Sequence, residues 1–375
     1  MKYGHGGNVF KFAQLHQIAV EDVIDYSANI NPLGPSESSM GVVAEMLPMV
    51  SHYPDPNQTE LLDAIERVYK MPKEHIVAGN GAAELLYAIC RLPGYTGCFV
   101  PAPGFSEYRL AAETANIPVR DTFYMPRESA EGDHYFEVPY LALQTFAAKL
   151  KGQDGRIICF LGNPNNPDGT LLEREHVRVL AGMLRDANSL LVIDESFIDF
   201  VGTEPLGDNS HSLRDLIFEF DNVIVVHSLT KFYAVPGLRV GVLFAPKILQ
   251  PKLKELIPTW SVNTLAQTYA TLSVDDTEYV EKTKAVVCDE KSYMYTALSA
   301  IPALTVYKPS VNFMLLKINT PNKTVEQLQE YLGDSNIFIR SCANYEGLDE
   351  QWFRVAIKTR ESNEILVKKL QLFFS

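Results

Sequence analysis

A repeated pattern constrains this chain most: short runs rich in Val, Ile and Leu that stop abruptly on polar or glycine-rich clusters. The runs cover residues 76–78, 97–100, 156–161, 189–193, 222–226 and 240–244. Helical patterns lie between several of them, including one expected over 82–91. Near-continuous apolar strands alternating with helices make a mostly parallel sheet, buried on both faces. The predicted fold class is therefore α/β. In such sheets ligands collect at the carboxyl ends of the strands. Here those ends carry Gly79-Asn80-Gly81, Pro101-Ala102-Pro103-Gly104, Asn163-Pro164-Asn165-Asn166-Pro167-Asp168-Gly169, Asp194-Glu195 and His227-Ser228.

The flanks differ from this middle part. Residues 1–45 are rich in Gly, Asn and Pro, and 28–35 cannot form a regular element. A helix is expected from Gln58, with Leu61, Leu62, Ile65, Val68 and Tyr69 on one face and Asn57 and Glu60 as a capping box. After about residue 258 the pattern turns to long helices over 263–300 and then short strands at 303–307, 312–317, 337–340 and 352–357. The expected organisation is an arm with part of a small domain at 1–45, a large domain at 46–258 and a small α+β domain at 259–375.

Charge and cysteine content exclude several functions. The 375 residues include 46 Asp plus Glu against 33 Lys plus Arg, a net charge of −13. A nucleic-acid binder needs a basic face, and so does a protein that docks on anionic membrane. Neither partner is expected. The acidity raises a problem for any anionic ligand, which a local basic pocket would have to hold against the global field. The five cysteines contain no C-x-x-C pair, so neither a disulfide framework nor a zinc site is expected, and no metal. No apolar leader or membrane-length run is visible, and a cytoplasmic location is the expectation.

The strand ends carry the chemistry. Ser228-Leu229-Thr230-Lys231 places an amine between hydroxyls, and Arg239 follows eight positions later. One lysine by itself is more often a surface residue with a buried stem. Two hydroxyls and a guanidinium around one amine suit a phosphate-bearing aldehyde, which the amine would bind as a Schiff base. Asp194 ends an apolar run. It reads as a helix cap or as a carboxylate that keeps a pyridine nitrogen protonated. Asn166 lies in an Asn-Pro-Asp-Gly turn and would donate to a ring phenolate, or serve the turn alone. Asn80, Gly81 and Ala82 open a helix whose N–H groups suit a phosphate. Tyr108 would stack on a ring or pack in the core, and Tyr53 could reach a phosphate.

Taken in order, these motifs resemble the fold-type I pyridoxal-phosphate enzymes of aminotransferase class I/II. The resemblance is strongest to the branch that holds the histidinol-phosphate aminotransferases and the threonine-phosphate decarboxylases. It spans nearly the whole chain. Its more specific parts are His5-Gly6-Gly7-Asn8, Ser27-Ala28-Asn29-Ile30-Asn31-Pro32-Leu33-Gly34, Trp260-Ser261-Val262-Asn263 and Ile339-Arg340-Ser341-Cys342-Ala343-Asn344-Tyr345. It implies pyridoxal 5'-phosphate as cofactor, carried on Lys231, with Asp194 on the pyridinium, Asn166 on the phenolate oxygen and Tyr108 on the ring. Asn80, Gly81, Ala82, Ser228, Thr230 and Arg239 would hold the cofactor phosphate, with Tyr53 from a partner subunit. Arg354 would hold a substrate carboxylate with Asn31 nearby. Arg340, His5 and Gly6 would hold a substrate phosphate. Arginine suits both anions because its planar fork binds them in bidentate fashion, although surface ion pairing is the ordinary use of such residues.

The implied reaction is decarboxylation of O-phospho-L-threonine to (R)-1-amino-2-propanol phosphate for cobalamin biosynthesis, with O-phosphoserine as a related substrate. The competing expectations are an aminotransferase for histidinol phosphate and a cofactor-retaining regulatory protein without turnover. One departure stands out. Phe197 lies three positions after Asp194, where many aminotransferases carry Tyr. A homodimer with a shared site is implied.

Overall fold

The computed structural model describes residues 6–152 and 155–375. A seven-stranded sheet lies at its centre. Its strands in chain order are β1 (Ile76–Gly79), β2 (Tyr95–Ala102), β3 (Val119–Phe123), β4 (Arg156–Gly162), β5 (Leu190–Asp194), β6 (Val223–Ser228) and β7 (Gly241–Phe244). Their spatial order is β1-β7-β6-β5-β4-β2-β3. The sheet is parallel except for β7, which runs antiparallel to both of its neighbours.

Side-chain alternation explains the apolar runs. In β5, Leu191 and Ile193 face one core cluster, and Leu190 and Val192 face the other. Both faces are therefore dry, and no position along the strand favours a polar residue. The helices Gly81–Cys90 and Ser106–Thr114 cover one face through Leu85, Leu86, Ile89, Ala111 and Ala112. The helices Thr59–Tyr69, Arg174–Asp186 and Thr264–Asp275 cover the other, through residues such as Ile65, Leu180 and Tyr269.

A second, four-stranded antiparallel sheet follows. Its strands are β8 (Leu304–Val306), β9 (Phe313–Ile318), β10 (Arg340–Ser341) and β11 (Trp352–Ala356), in the order β8-β9-β11-β10. The helices Thr277–Ser299 and Arg360–Phe374 pack with it.

The start of the chain holds more regular structure than its composition suggests. Val9–His16 is a helix capped by Asn8, and Glu37–Glu45 is another, capped by Ser36. The short strand Ile24–Asp25 pairs in parallel with Ile337–Phe338, and Phe12 stacks on Phe338. The irregular stretch 28–35 is as expected. The expected Asn57–Glu60 capping box is absent. Gln58 is the N-cap, in a left-handed conformation with no side-chain cap bond. Asp55 does the capping, accepting from Asn57 N at 2.9 Å and Thr59 N at 2.7 Å. A carboxylate two residues upstream of Asn57 thus reaches the first orphan amide of the helix, that of Thr59.

Candidate active site

Gly241 is where the cradle converges. It is the register partner of Gly79 on one side and of Ser228 on the other. The start of the Gly81–Cys90 helix and the Ser228-to-Lys231 turn are thus brought side by side by one short strand. A Cβ on Gly241 would lie 2.7 Å from Ala82 N and 3.0 Å from His227 O. Only glycine allows that approach.

Around this point lie the groups expected to hold a phosphate. Ser228 Oγ and Thr230 Oγ1 are 2.8 Å apart and buried. The Arg239 guanidinium lies over Gly81, where a Cβ would sit 2.5 Å from Nη2. Gly81 has φ +79° and Arg239 itself φ +62°, both left-handed. Lys231 Nζ donates to Ser228 Oγ at 3.0 Å. Burial, with Arg239 adding to it, pulls the Lys231 amine down to about 8, against an opposing effect of Asp194. Burial disfavours the charged ammonium, so an amine there is readied as a nucleophile.

Asp194 ends β5 between Gly162 and Val226 in register. Its Oδ2 accepts from the Tyr108 hydroxyl at 2.9 Å and its Oδ1 from Ser196 N at 2.9 Å. Tyr108 is buried and stacks on Phe160, with rings parallel and centroids 5.1 Å apart. The Asn166 turn starts beside Asp194, since Asn163 N donates to Asp194 O at 2.8 Å. Asp168 braces that turn by accepting from Thr170 N at 2.7 Å and from Asn165, and burial pushes its carboxyl up to about 6. Lys231 Nζ also lies 5.9 Å from the centroid of Phe197, which is buried.

The second sheet brings in two arginines. Arg340 and Arg354 are register partners on β10 and β11, and both are buried. Arg354 donates to Ser27 O at 3.0 Å and to Asn166 Oδ1. Its Nε is buried with no partner, and no carboxylate pairs with it among the described residues. Arg340 donates to Asn344 Oδ1 at 2.8 Å. Like charges directly opposite on two strands destabilise a sheet. Bound anions would reverse that penalty.

The remaining expected residues fall as follows. A Cβ on Gly6 would lie 2.3 Å from Ser27 O and 3.5 Å from Arg340 Cδ, so Gly6 is tucked beside that arginine. His5 lies outside the described residues. The Asn31 side chain is engaged within the protein. Its amide nitrogen is spent on Phe232 O, Tyr279 and Thr283, at 2.7 to 2.9 Å, and its Oδ1 accepts from Leu33 N. It fastens the first irregular segment to the Lys231 turn, where its own N–H donates to Lys231 O at 3.1 Å. Tyr53 is 78% exposed and stacks on Trp260, with centroids 4.4 Å apart.

Several contributors were not among the expected site residues. Glu84 accepts from Asn80 N and from Ser261 Oγ, each at 2.6 Å, tying the helix start to the Trp260 segment. Asp199 accepts from Tyr69 at 2.8 Å and lies 2.9 Å from His227 Nε2, which clamps the chain after β5 to the end of β6. Burial opposes ionisation of Asp199, but His227 and Tyr69 outweigh it and hold the carboxyl below its usual range. Tyr345 donates to Asn166 Oδ1 at 3.3 Å. Apart from the Asn80–Glu84 contact, these pairs join residues far apart in the chain, for which sequence offers no periodicity.

The residues present fit a phosphorylated aromatic aldehyde. They supply an amine of lowered basicity, a carboxylate at the end of the neighbouring strand, a glycine-lined helix start and two hydroxyls with a guanidinium. Among the described residues no cluster of metal-ligating side chains occurs, and no helix is long and apolar enough to cross a membrane.

Fold and site define a member of the aminotransferase class I and II family, whose model matches residues 21–370, and the chain belongs to it. Among individual relatives, it is 32% identical to the threonine-phosphate decarboxylase of Salmonella typhimurium, over 98% of this chain and 95% of that one. It is 31% identical to the adenosylcobalamin biosynthesis bifunctional protein CobDQ of Leptospira interrogans, covering 99% of this chain and 41% of that longer protein. The solved histidinol-phosphate aminotransferase of Clostridium acetobutylicum superposes with a TM-score of 0.81 at 28% identity, over 93% of this chain and 98% of that one.

Proposed function

We propose that this chain is a pyridoxal-phosphate-dependent decarboxylase of O-phospho-L-threonine, producing 1-amino-2-propanol phosphate for cobalamin biosynthesis. The observation that carries the reading is the in-register pair Arg340 and Arg354 at the cleft that holds Lys231, Asp194 and Asn166. A substrate with a carboxylate at one end and a phosphate at the other matches two adjacent buried guanidiniums. The full-length similarity to threonine-phosphate decarboxylase supports the same choice.

Bound here, pyridoxal phosphate supplies an aldehyde that condenses with amines and a pyridine ring that takes up an electron pair from a bond broken at Cα. The protein provides everything else. Ser228, Thr230, Arg239 and the start of the Gly81–Cys90 helix bind the cofactor phosphate. Asp194 keeps a proton on the ring nitrogen, and Asn166 donates to the ring oxygen. Arg354 takes the substrate carboxylate and Arg340 its phosphate, so the bond from Cα to the carboxylate carbon is held in one orientation. When that bond breaks, carbon dioxide leaves and the electron pair stays on the Cα side. Lys231 Nζ, held at Ser228 Oγ, would be the group that returns a proton to Cα. We further propose a homodimer, in which exposed Tyr53 and Trp260 meet a second copy of this chain.

The loaded protein should release carbon dioxide and 1-amino-2-propanol phosphate from O-phospho-L-threonine with no 2-oxo acid added. O-phosphoserine lacks one methyl, a difference worth about 1–3 kcal/mol, so it should react more slowly by roughly 10–200-fold. The likeness to histidinol-phosphate aminotransferase favours a second outcome, transamination. A strict need for 2-oxoglutarate would establish that reading in place of ours.

A further inference from the structure

Asn166 is held by its amide oxygen. Tyr345 donates its hydroxyl to Oδ1 at 3.3 Å, and Arg354 donates to the same atom. An amide whose oxygen receives two donors has its orientation decided, because the NH2 end must then face the other way. That end is the donor the cofactor's ring oxygen requires. Arg354 is not a constant partner, since in the reading above it also receives the substrate carboxylate. Tyr345 is better suited to the task. It is buried, and its ring lies against Arg340, with the guanidinium carbon 5.5 Å from the ring centroid.

We propose that Tyr345 is a positioning residue for the reaction. Its hydroxyl keeps the Asn166 amide turned toward the cofactor's ring oxygen when Arg354 engages substrate. Its ring ties that hydroxyl to Arg340, so the phosphate-holding side of the cleft and the cofactor-orienting side share one side chain. The proposal rests on the pyridoxal-phosphate reading of this site. The neighbouring charged and titratable groups are Arg340 against the ring, Arg354 on the shared Asn166 oxygen, and Tyr108, close enough to interact electrostatically.

Tyr345→Phe removes the hydroxyl and keeps the ring. A donor on the ring oxygen draws charge from the linkage to Lys231 and lowers its proton affinity. In the loaded variant, the pH midpoint of the visible absorbance band should therefore move upward by about 0.3–1 unit. The rate constant kcat for O-phospho-L-threonine should fall by about 3–10-fold, the worth of one hydrogen bond, with KM changed less than kcat. Tyr345→Leu also removes the ring from Arg340 and should raise KM. In an Asn166→Ala background, Tyr345→Phe should leave the midpoint where Asn166→Ala alone puts it.

Two results would overturn the proposal: an unchanged midpoint in Tyr345→Phe, or a further shift in the Asn166→Ala background. Failure of the wild-type protein to form any visible band is a different result, and overturns the cofactor reading itself.

Discussion

Lys231 is the residue on which the site depends, and its environment makes a pH prediction. Burial beside Arg239 brings its amine down to about 8, from an ordinary value near 10.4. Only the neutral amine attacks an aldehyde. Capture of pyridoxal phosphate by the cofactor-free protein should therefore speed up about tenfold per pH unit up to roughly 8 and then level off. A rate that keeps rising to pH 10 would mark an ordinary lysine. The sign of the stability effect follows from the same shift. Between about 8 and 10.4 the unfolded chain binds more protons than the folded one, so the cofactor-free protein gains stability as pH rises through that window. Lys231→Ala should abolish the visible band of the loaded protein, as read by absorbance. The positions of Lys231, Asp194 and Arg239 were legible because each lies at or beside a strand end in a short motif. Those of Tyr345, Glu84 and Asp199 were not, because each acts through a partner distant in sequence.

At the scale of elements, β7 decides the site. The apolar run at 240–244 announces a strand, but nothing in it announces direction. Running antiparallel between β1 and β6 places Gly241 opposite both Gly79 and Ser228. Gly241→Ala would push a methyl into the backbone of Ala82 and His227, with no flexible side chain to yield. It should cost about 1–3 kcal/mol of stability and weaken cofactor binding, measured by denaturant unfolding and by titration with pyridoxal phosphate. Gly237→Ala is the control, since nothing lies within 4 Å of a Cβ there. It should change stability by no more than about 0.5 kcal/mol. Equal effects of the two substitutions would show that close packing at Gly241 is not what the cradle requires. The helix cap teaches the same lesson on a smaller scale: Asn57 and Glu60 have the right spacing, yet Asp55 takes the first orphan amide, Thr59 N.

Over the whole molecule, charge and apolar surface act at different ranges. The net charge of −13 is a property of the outside. Lys231 and Arg239 come from two neighbouring strand ends and Arg340 and Arg354 from a second sheet, and burial of the latter two strengthens their effect on a bound anion. Leu47, Met49, Val50, Tyr53 and Trp260 are all at least 42% exposed, an apolar surface that a second copy would cover. Sedimentation should give twice the chain mass, and Tyr53→Ala should weaken cofactor affinity if its ring serves the partner's site. A fully active monomer at high dilution would rule out the shared site.

Local sequence by itself determined the α/β class, the strand ends and the kinds of ligand group they carry. Burial on both faces leaves a continuous apolar run, and function needs particular residues at the point where the run ends. Only the tertiary structure decided which of those ends meet, that Arg340 and Arg354 lie opposite each other, and that Asn31 fastens the first irregular segment to the Lys231 turn. Those facts depend on strand direction, register and contacts between segments hundreds of residues apart, for which local periodicity carries no signal.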